Sequence, residues 1–292
     1  MDFGQLKVLT DSREQRTVHY ADAIRGYYDI SREFNLALPM PSWHFTTFAP
    51  GQEAGDLFEA CAAFERAFAD DGGFGPGDQV LDLGCGIGGP AFTIAPHSGA
   101  SITGINITPW QVLEARSRAE AQGLSETVRF VEGDFMNMPF DTGTFDAAYS
   151  FEALCHAPDY EALFHEVARV LKPGSVFIGT DEVCTDDTND EQYQQFMEPL
   201  NVANALPHVL KFSEYEPLLT KAGFVVEVAE SLTDRGNIEP MGDFIANMIE
   251  FFGRPDMAEL MTDQVRDVLI SYHNSYQSGH FDVIYFRCHK PA

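Results

Sequence analysis

A chain of 292 residues that is 45% hydrophobic is long enough to bury a substantial core, as one elaborated domain or as a core with a smaller lid. Its formal charge of -27, with only 18 lysines and arginines, leaves little with which to neutralise phosphates and argues against nucleic acid and anionic membranes as partners. No apolar run reaches the length of a membrane span and the opening MDFGQLKVLTDSREQR has no apolar signal core, so neither a membrane span nor secretion is expected, and a cytoplasmic protein follows.

The first 72 residues read as a helical, peripheral segment. Leu57, Cys61, Phe64 and Phe68 have helical spacing, and the preceding YYDISREFNLALPMPSWHF is rich in aromatics and proline. From residue 78 strands and helices alternate: QVLDLG, a helix opened by Gly89-Pro90, SITGIN, a helix opened by Thr108-Pro109, TVRFVEGD, FDAAYS, a helix from Tyr160, and SVFIGTDE. This alternation predicts an α/β fold with a mostly parallel sheet covered by helices on both faces. Thr108 is a good N-cap with Pro109 at the first helical position. In the helix from Tyr160, the stripe of Tyr160, Leu163, Phe164, Val167 and Leu171 faces the sheet, and Lys172-Pro173-Gly174 ends it. Ser213 and Glu216 form a capping-box pattern for a helix that stops at Gly223. FVVEVAES and FDVIYFRC then supply the last two strands of a seven-stranded sheet.

The sequence therefore divides into a lid segment (1–72), a core (73–182), an insertion (183–212), a core helix and strand (213–231), a helical insertion (232–279) and a last strand (280–292). Ile245, Met248, Ile249 and Phe252 mark the helical stripe of the longer insertion. Ligands of open α/β sheets sit beyond the carboxyl ends of the strands, where insertions also gather, so a lid is expected there. Residues 181–191 carry six acids in eleven positions and read as a solvated loop. The five cysteines are odd in number and lack paired ligand spacing, which predicts no disulfide framework, no zinc site and small buried side chains.

The stretch VLDLGCGIGGP, residues 80–90, turns a strand sharply into a helix. A glycine turn there lets the backbone pass close to a ligand and aims the helix N-terminus at it. The dinucleotide fingerprint wants Gly-x-Gly-x-x-Gly and an acid at the end of the second strand. Here the spacing is Gly84-x-Gly86-x-Gly88, preceded by Asp82, and the second strand ends in Asn106. That spacing favours a different nucleoside.

Asp82-x-Gly84-x-Gly86-x-Gly88 resembles the first motif of the class I S-adenosylmethionine (SAM) methyltransferases, whose glycine turn takes the methionine portion of the cofactor. Gly133-Asp134-Phe135 matches their adenine-contacting motif. The resemblance extends over residues 27–180 to the sterol C-methyltransferases, which methylate the sterol tail, and to their bacterial prenyl and natural-product relatives. It is carried by Tyr27-Tyr28-Asp29, Ser42-Trp43-His44-Phe45, Gly104-Ile105-Asn106, GDFMNMPF and FEALCHAPD. It implies a Rossmann-like methyltransferase fold, SAM as cofactor and S-adenosylhomocysteine as product. It also implies that Asn106, Ile107 and Gln111 stand at the ribose, Asp134 and Phe135 at the adenine and Phe151 beside the cofactor. Tyr28 and Ser42 would close over its methionine end. Where the sterol enzymes carry a run of the type YEYGWG, this protein has Asn35-Leu36-Ala37-Leu38-Pro39-Met40-Pro41, so a small hydrophobic prenylated molecule or another isoprenoid is expected as acceptor at least as readily as a sterol.

An alkene needs no deprotonation before it attacks a sulfonium methyl, so in-line positioning in a dry pocket is the main task. The resulting carbocation is stabilised by aromatic faces and carboxylates, then deprotonated or cyclised. Glu152 and His156 follow the fourth strand at the edge where an acceptor belongs. Glu152 would stabilise positive charge or take the proton, and His156 would assist or orient it. The plainer alternatives are a carboxylate that holds a backbone amide and an ordinary loop histidine. His44 joins them through the Ser-x-His-Phe match, and Asp181 and Glu182 end the fifth strand either facing the cavity or at the surface. The expectation is a SAM-dependent C-methyltransferase for an isoprenoid alkene, with no metal needed for transfer. An O- or N-methyltransferase, a prenyl diphosphate C-methyltransferase using Mg²⁺, a nicotinamide dehydrogenase and a non-enzymic nucleoside-binding module stay open, as does a homo-oligomer.

Overall fold

The computed structural model describes residues 1–37, 42, 44–257 and 259–292. Residues 38–41 of the proline run and Trp43 of the Ser-x-His-Phe motif lie outside the described residues. Eight strands form one sheet: β1 (Gln79–Leu83), β2 (Ser101–Asn106), β3 (Val128–Glu132), β4 (Phe145–Phe151), β5 (Leu171–Cys184), β6 (Leu210–Lys211), β7 (Val225–Ser231) and β8 (Phe281–His289). The order is β3-β2-β1-β4-β5-β8-β7, with β6 beside β5. β1 to β5 pair in parallel and β8 runs antiparallel between β5 and β7. The seven expected strands make up the main path. The eighth, β6, is a two-residue pairing with Val183 and Cys184 that has no periodicity for a sequence to display.

The register sets the functional edge. Phe151 at the end of β4 pairs with Thr180, so β5 continues for four residues beyond it, Asp181 to Cys184. Those four residues are buried, so the first two acids of the run 181–191 are not in a solvated loop. The sheet reads as nearly continuous apolar strands because it is covered on both faces. On one face lie the helices Leu57–Asp71 and Gly89–Ser98; on the other lie Tyr160–Val170 and Phe212–Lys221. Phe68, in contact with Tyr149, Phe151 and Tyr285, is fully buried and contributes about 1.5–3 kcal/mol by its removal from water. The helix Leu57–Asp71 therefore belongs to the sheet layer, although the sequence grouped it with the lid.

Local caps depart from expectation in three places. The helix after β4 is capped by Asp159, which accepts from the Ala162 amide at 3.0 Å, and it ends at Val170, so Leu171 already begins β5. Thr108 occupies the N-cap of Pro109–Ala121, but its hydroxyl makes no cap bond. The helix Phe212–Lys221 is capped at Lys211, whose amide donates to Glu214 at 2.7 Å. Ser213 instead donates its amide to Asp186 from the preceding loop, at 2.9 Å, which shifts the box by two residues.

The roof over the sheet edge comes from both ends of the protein: Phe3–Thr10, Arg13–Val18 and Tyr20–Ile30 from the N-terminus, and Glu239–Phe252 and Asp263–Ser278 from the longer insertion. Fully buried Arg16 joins the N-terminal helices to the segment after β5. It donates to the carbonyls of Leu206 (2.6 Å) and Thr10 (2.7 Å) and to both carboxylate oxygens of Glu198 (2.8 and 3.0 Å). Among the described residues no helix is long and apolar enough to cross a membrane. All five cysteines are buried and unpaired.

Candidate active site

β1 ends in a turn that only glycine fits. Gly84 has φ 76°, and a Cβ added to it would lie 2.3 Å from that of Ala153, in the turn after β4. A Cβ on Gly88 would strike the rings of Phe130 and Phe92 at 2.6 and 2.9 Å. Gly88 thus serves helix packing and lines neither cavity described below, whereas Gly84 and Gly86 line both.

Two cavities meet at this turn and share Tyr28, Gly84, Gly86, Gln111, Ala153 and His156 as a common wall. The smaller, about 40 Å³, holds Asn106, Ile107, Asp134, Phe135 and the roof residue Tyr20. There Asn106 donates to Gln111 at 2.7 Å, and Arg25 reaches the Ile107 carbonyl at 3.1 Å. Asp134 accepts from the Met136 amide at 2.8 Å and from the hydroxyl of Tyr20. A carboxylate, an aromatic ring and an amide pair around one cavity suit a purine nucleoside. The larger cavity, about 160 Å³, is lined by Ser42, His44, Asp82, Phe151, Glu152 and Glu182, among others, and no lysine or arginine is among its described lining residues. Its wall favours a neutral or positively charged guest.

Every predicted site residue except Gly88 lines one of these cavities, and their bonding separates their roles. Asp82 is buried beside Tyr149, which donates to it at 2.9 Å; desolvation pushes its carboxyl up to about 7 despite that bond. Ser42 and His44 both bond Glu65 on the helix Leu57–Asp71, at 2.7 and 3.1 Å. The other ring nitrogen of His44 meets the Phe45 carbonyl at 2.8 Å. Both nitrogens face acceptors, so the ring is an imidazolium. Burial alone would lower its pKa, but the Glu65 carboxylate outweighs burial and raises it. Glu65 moves the opposite way: burial opposes its charge, and hydrogen bonds from His44, Ser42 and Thr93 bring its pKa below the usual value. The charged ring of His44 stacks on Phe151, centroids 4.5 Å apart.

Glu152 has a left-handed backbone, φ 48°, and accepts the Phe45 amide with both carboxylate oxygens at 2.9 Å each. Thr180 donates to it at 3.3 Å. Desolvation pushes Glu152 up to about 7, against the opposing pull of His44 and these donors. His156 is buried and neutral, its pKa driven down to about 4 by desolvation. Asp181 and Glu182 point to opposite faces of β5, as adjacent strand residues do. Asp181 is consumed by the Cys155 amide (3.0 Å) and the Tyr215 hydroxyl (2.9 Å), while Glu182 accepts from Tyr272 and lines the larger cavity. Burial pushes these two carboxyls up to about 7 and about 8.

Sequence reasoning missed Tyr20, Glu65, Gln264 and Tyr272. Glu65 alone had a signal, since it is an acid set four residues after Cys61 in an apolar helical stripe.

Residues 81–179 match the profile of a methyltransferase domain. The protein is 36% identical over 230 residues to the sterol 24-C-methyltransferase of Pneumocystis carinii, a match that spans 78% of this chain and 60% of that protein. It is 35% identical over 217 residues to the cycloartenol-C-24-methyltransferase of Arabidopsis thaliana, covering 74% and 64%. The chain spans about three fifths of the length of the curated relatives it matches. Among solved structures, the geranyl diphosphate C-methyltransferase of Streptomyces coelicolor A3(2), solved with Mg²⁺, geranyl diphosphate and S-adenosyl-L-homocysteine, superposes with a TM-score of 0.70 at 18% identity, covering 93% of this chain and 97% of that one. The phosphoethanolamine N-methyltransferase 2 of Haemonchus contortus gives a TM-score of 0.61 at 22% identity, over 78% and 52%. The fold is the class I methyltransferase fold.

Proposed function

We propose that this protein, a class I methyltransferase in its fold and in residues 81–179, is a SAM-dependent C-methyltransferase that adds a methyl group to an alkene carbon of an isoprenoid acceptor. The observation that carries this reading is a carboxylate, Glu152, in the wall of a chamber that adjoins the smaller cavity, is lined by aromatic rings and acids and lacks lysine and arginine among its described residues. Likeness to enzymes named for sterol 24-C-methylation supports the same chemistry.

SAM, when bound, supplies a methyl group on a positively charged sulfonium. Asp134 and Phe135 would hold the adenine, Asn106, Ile107 and Gln111 the ribose, and Gly84 and Gly86 would let the backbone approach the methionine end under Tyr28. Roof and sheet edge exclude water and hold the alkene in line, at roughly 3–3.5 Å from the methyl carbon. As the alkene bonds to the methyl carbon and the methyl–sulfur bond breaks, leaving S-adenosylhomocysteine, positive charge would grow on the acceptor carbon, and the Glu152 carboxylate with the faces of Phe151, Tyr27 and Tyr28 would stabilise it until a neighbouring proton is lost or a ring closes. His156, being neutral, adds no repulsion and is able to take a proton. His44 carries a charge already compensated by Glu65, so it positions the segment bearing Ser42 and Phe45 and does not act as a base. A chamber without lysine or arginine among its described lining residues favours a neutral acceptor over a diphosphate.

The test is incubation with methyl-labelled SAM and separate sterols, prenyl alcohols, prenyl diphosphates and prenylated aromatics. A mass gain of one methylene on a carbon of the prenyl group is expected. Label found on oxygen or nitrogen, or no label transfer to any isoprenoid, overturns the proposal.

A further inference from the structure

Three polar atoms in the wall of the larger cavity have no hydrogen-bond partner: Nδ1 of His156, Oε2 of Glu182 and Oε1 of Gln264. They make up three of the seven such buried atoms among the described residues, and they reach one cavity from three separate elements. His156 follows β4, Glu182 ends β5, and Gln264 lies in the first turn of the roof helix Asp263–Ser278. Each is oriented by its neighbours. Oε1 of Glu182 accepts from Tyr272, the Gln264 amide nitrogen donates to the Ala203 carbonyl at 3.5 Å, and the His156 ring packs against Tyr27 and Tyr28, centroids 6.5 and 6.0 Å away. Residues this buried, 8% exposed or less, are normally satisfied, so three held in place with one free atom each point to a missing partner.

The free atoms define that partner. The Gln264 oxygen and the lone pair of a neutral imidazole accept only, and a carboxyl group accepts in either protonation state and also donates when protonated. Phe34, Val265, Val268 and Leu269 line the same cavity and provide an apolar wall. The guest is thus amphiphilic, with a donor on an oily body. His156 belongs to the wall shared with the nucleoside cavity, which puts the donor near the reacting carbon.

We infer that Glu182, Gln264 and His156 form a head-group subsite for a hydrogen-bond donor, a hydroxyl or an ammonium, carried by the acceptor close to the alkene that is methylated. This rests on the isoprenoid reading above and narrows it: the enzyme takes a short prenyl alcohol or amine and rejects the corresponding diphosphate and ether.

Calorimetry on the full-length protein saturated with S-adenosylhomocysteine tests it, using geraniol, geranylamine, geranyl methyl ether and geranyl diphosphate, the last with and without Mg²⁺. Geraniol or geranylamine should bind about tenfold or more tightly than the ether, which keeps the oxygen but lacks the donor, and the diphosphate should bind most weakly. Which of the first two binds better identifies the donor. Gln264→Leu and Glu182→Leu should each shrink the preference over the ether to about threefold or less. The ligand series on the unaltered protein stands even if a variant fails to fold. An ether that binds as well as both donors, or a diphosphate that binds best, overturns the subsite and leaves the isoprenoid reading intact. Failure of all four to bind overturns the short prenyl acceptor, while the isoprenoid reading falls only if the wider labelled-SAM panel also shows no transfer.

Discussion

The amide of Phe45 donates to both carboxylate oxygens of Glu152, 107 residues away, at 2.9 Å each. The roof segment is thereby fastened to the turn after β4 by the same carboxylate that faces the acceptor. In Glu152→Gln an amide group replaces one acceptor and the negative charge is lost. Turnover of the true acceptor should fall by about 100-fold or more. SAM affinity, measured by calorimetry, should change by less than about threefold, because the adenine and ribose contacts lie in the other cavity. Undiminished turnover would remove Glu152 from the chemistry.

Glu65 holds Ser42 and the imidazolium of His44 in the interior. Glu65→Ala leaves that charge without its partner, and breaking a buried pair in this way costs about 3–5 kcal/mol. Denaturant unfolding should show the loss as a lower midpoint with an unchanged slope. Glu65→Ala combined with His44→Phe should recover part of it, since the uncompensated charge goes too.

Stability of the ligand-free protein should fall as the pH rises from about 5, just above the unfolded carboxyl values, to about 8, where the last of these groups ionises in the folded protein. Burial holds the folded pKa values of Asp82, Glu152 and Asp181 at about 7 and Glu182 at about 8, above those of the unfolded state. Across that window the native state carries protons that the unfolded state has already lost, so the unfolding free energy decreases with pH. The raised pKa of His44 acts in the same direction. His156, depressed to about 4, acts oppositely, but only below the unfolded histidine value. Scanning calorimetry at several pH values checks the sign. A positively charged cofactor should expel some of these protons, so SAM binding should release protons where S-adenosylhomocysteine binding releases fewer, as read from heats in buffers of different ionisation enthalpy.

Asp134 has two acceptor oxygens, one on the Met136 amide and one on Tyr20. Asp134→Ala should weaken SAM binding about tenfold, the loss of one charge-assisted bond. Calorimetric affinity that does not change would contradict the adenine role.

The parallel core was readable because its strands are short, nearly unbroken apolar runs between strong turn and cap residues, and because three alternating glycines leave few backbone paths. Most of the site was readable for a related reason: Gly84, Gly86, Asn106, Asp134 and Glu152 all lie at or just beyond strand ends. What sequence spacing could not reveal was pairing across the fold. Glu65 meets His44 only once a helix is laid on the sheet. Adjacent acids 181 and 182 look equivalent in a string, yet the pleat sends one to Tyr215 and the other to Tyr272. The box expected at Ser213 moved to Lys211 because Asp186, from another segment, captured the Ser213 amide.

Arg16 ties the N-terminal helices of the roof and the segment after β5 into a single mechanical part. Its guanidinium bonds segments separated by 190 positions, and no pair of them can part without stranding a buried cation. The N-terminal helices and that segment should therefore move as one body when a guest is admitted, so hydrogen exchange in the two stretches should share one rate constant.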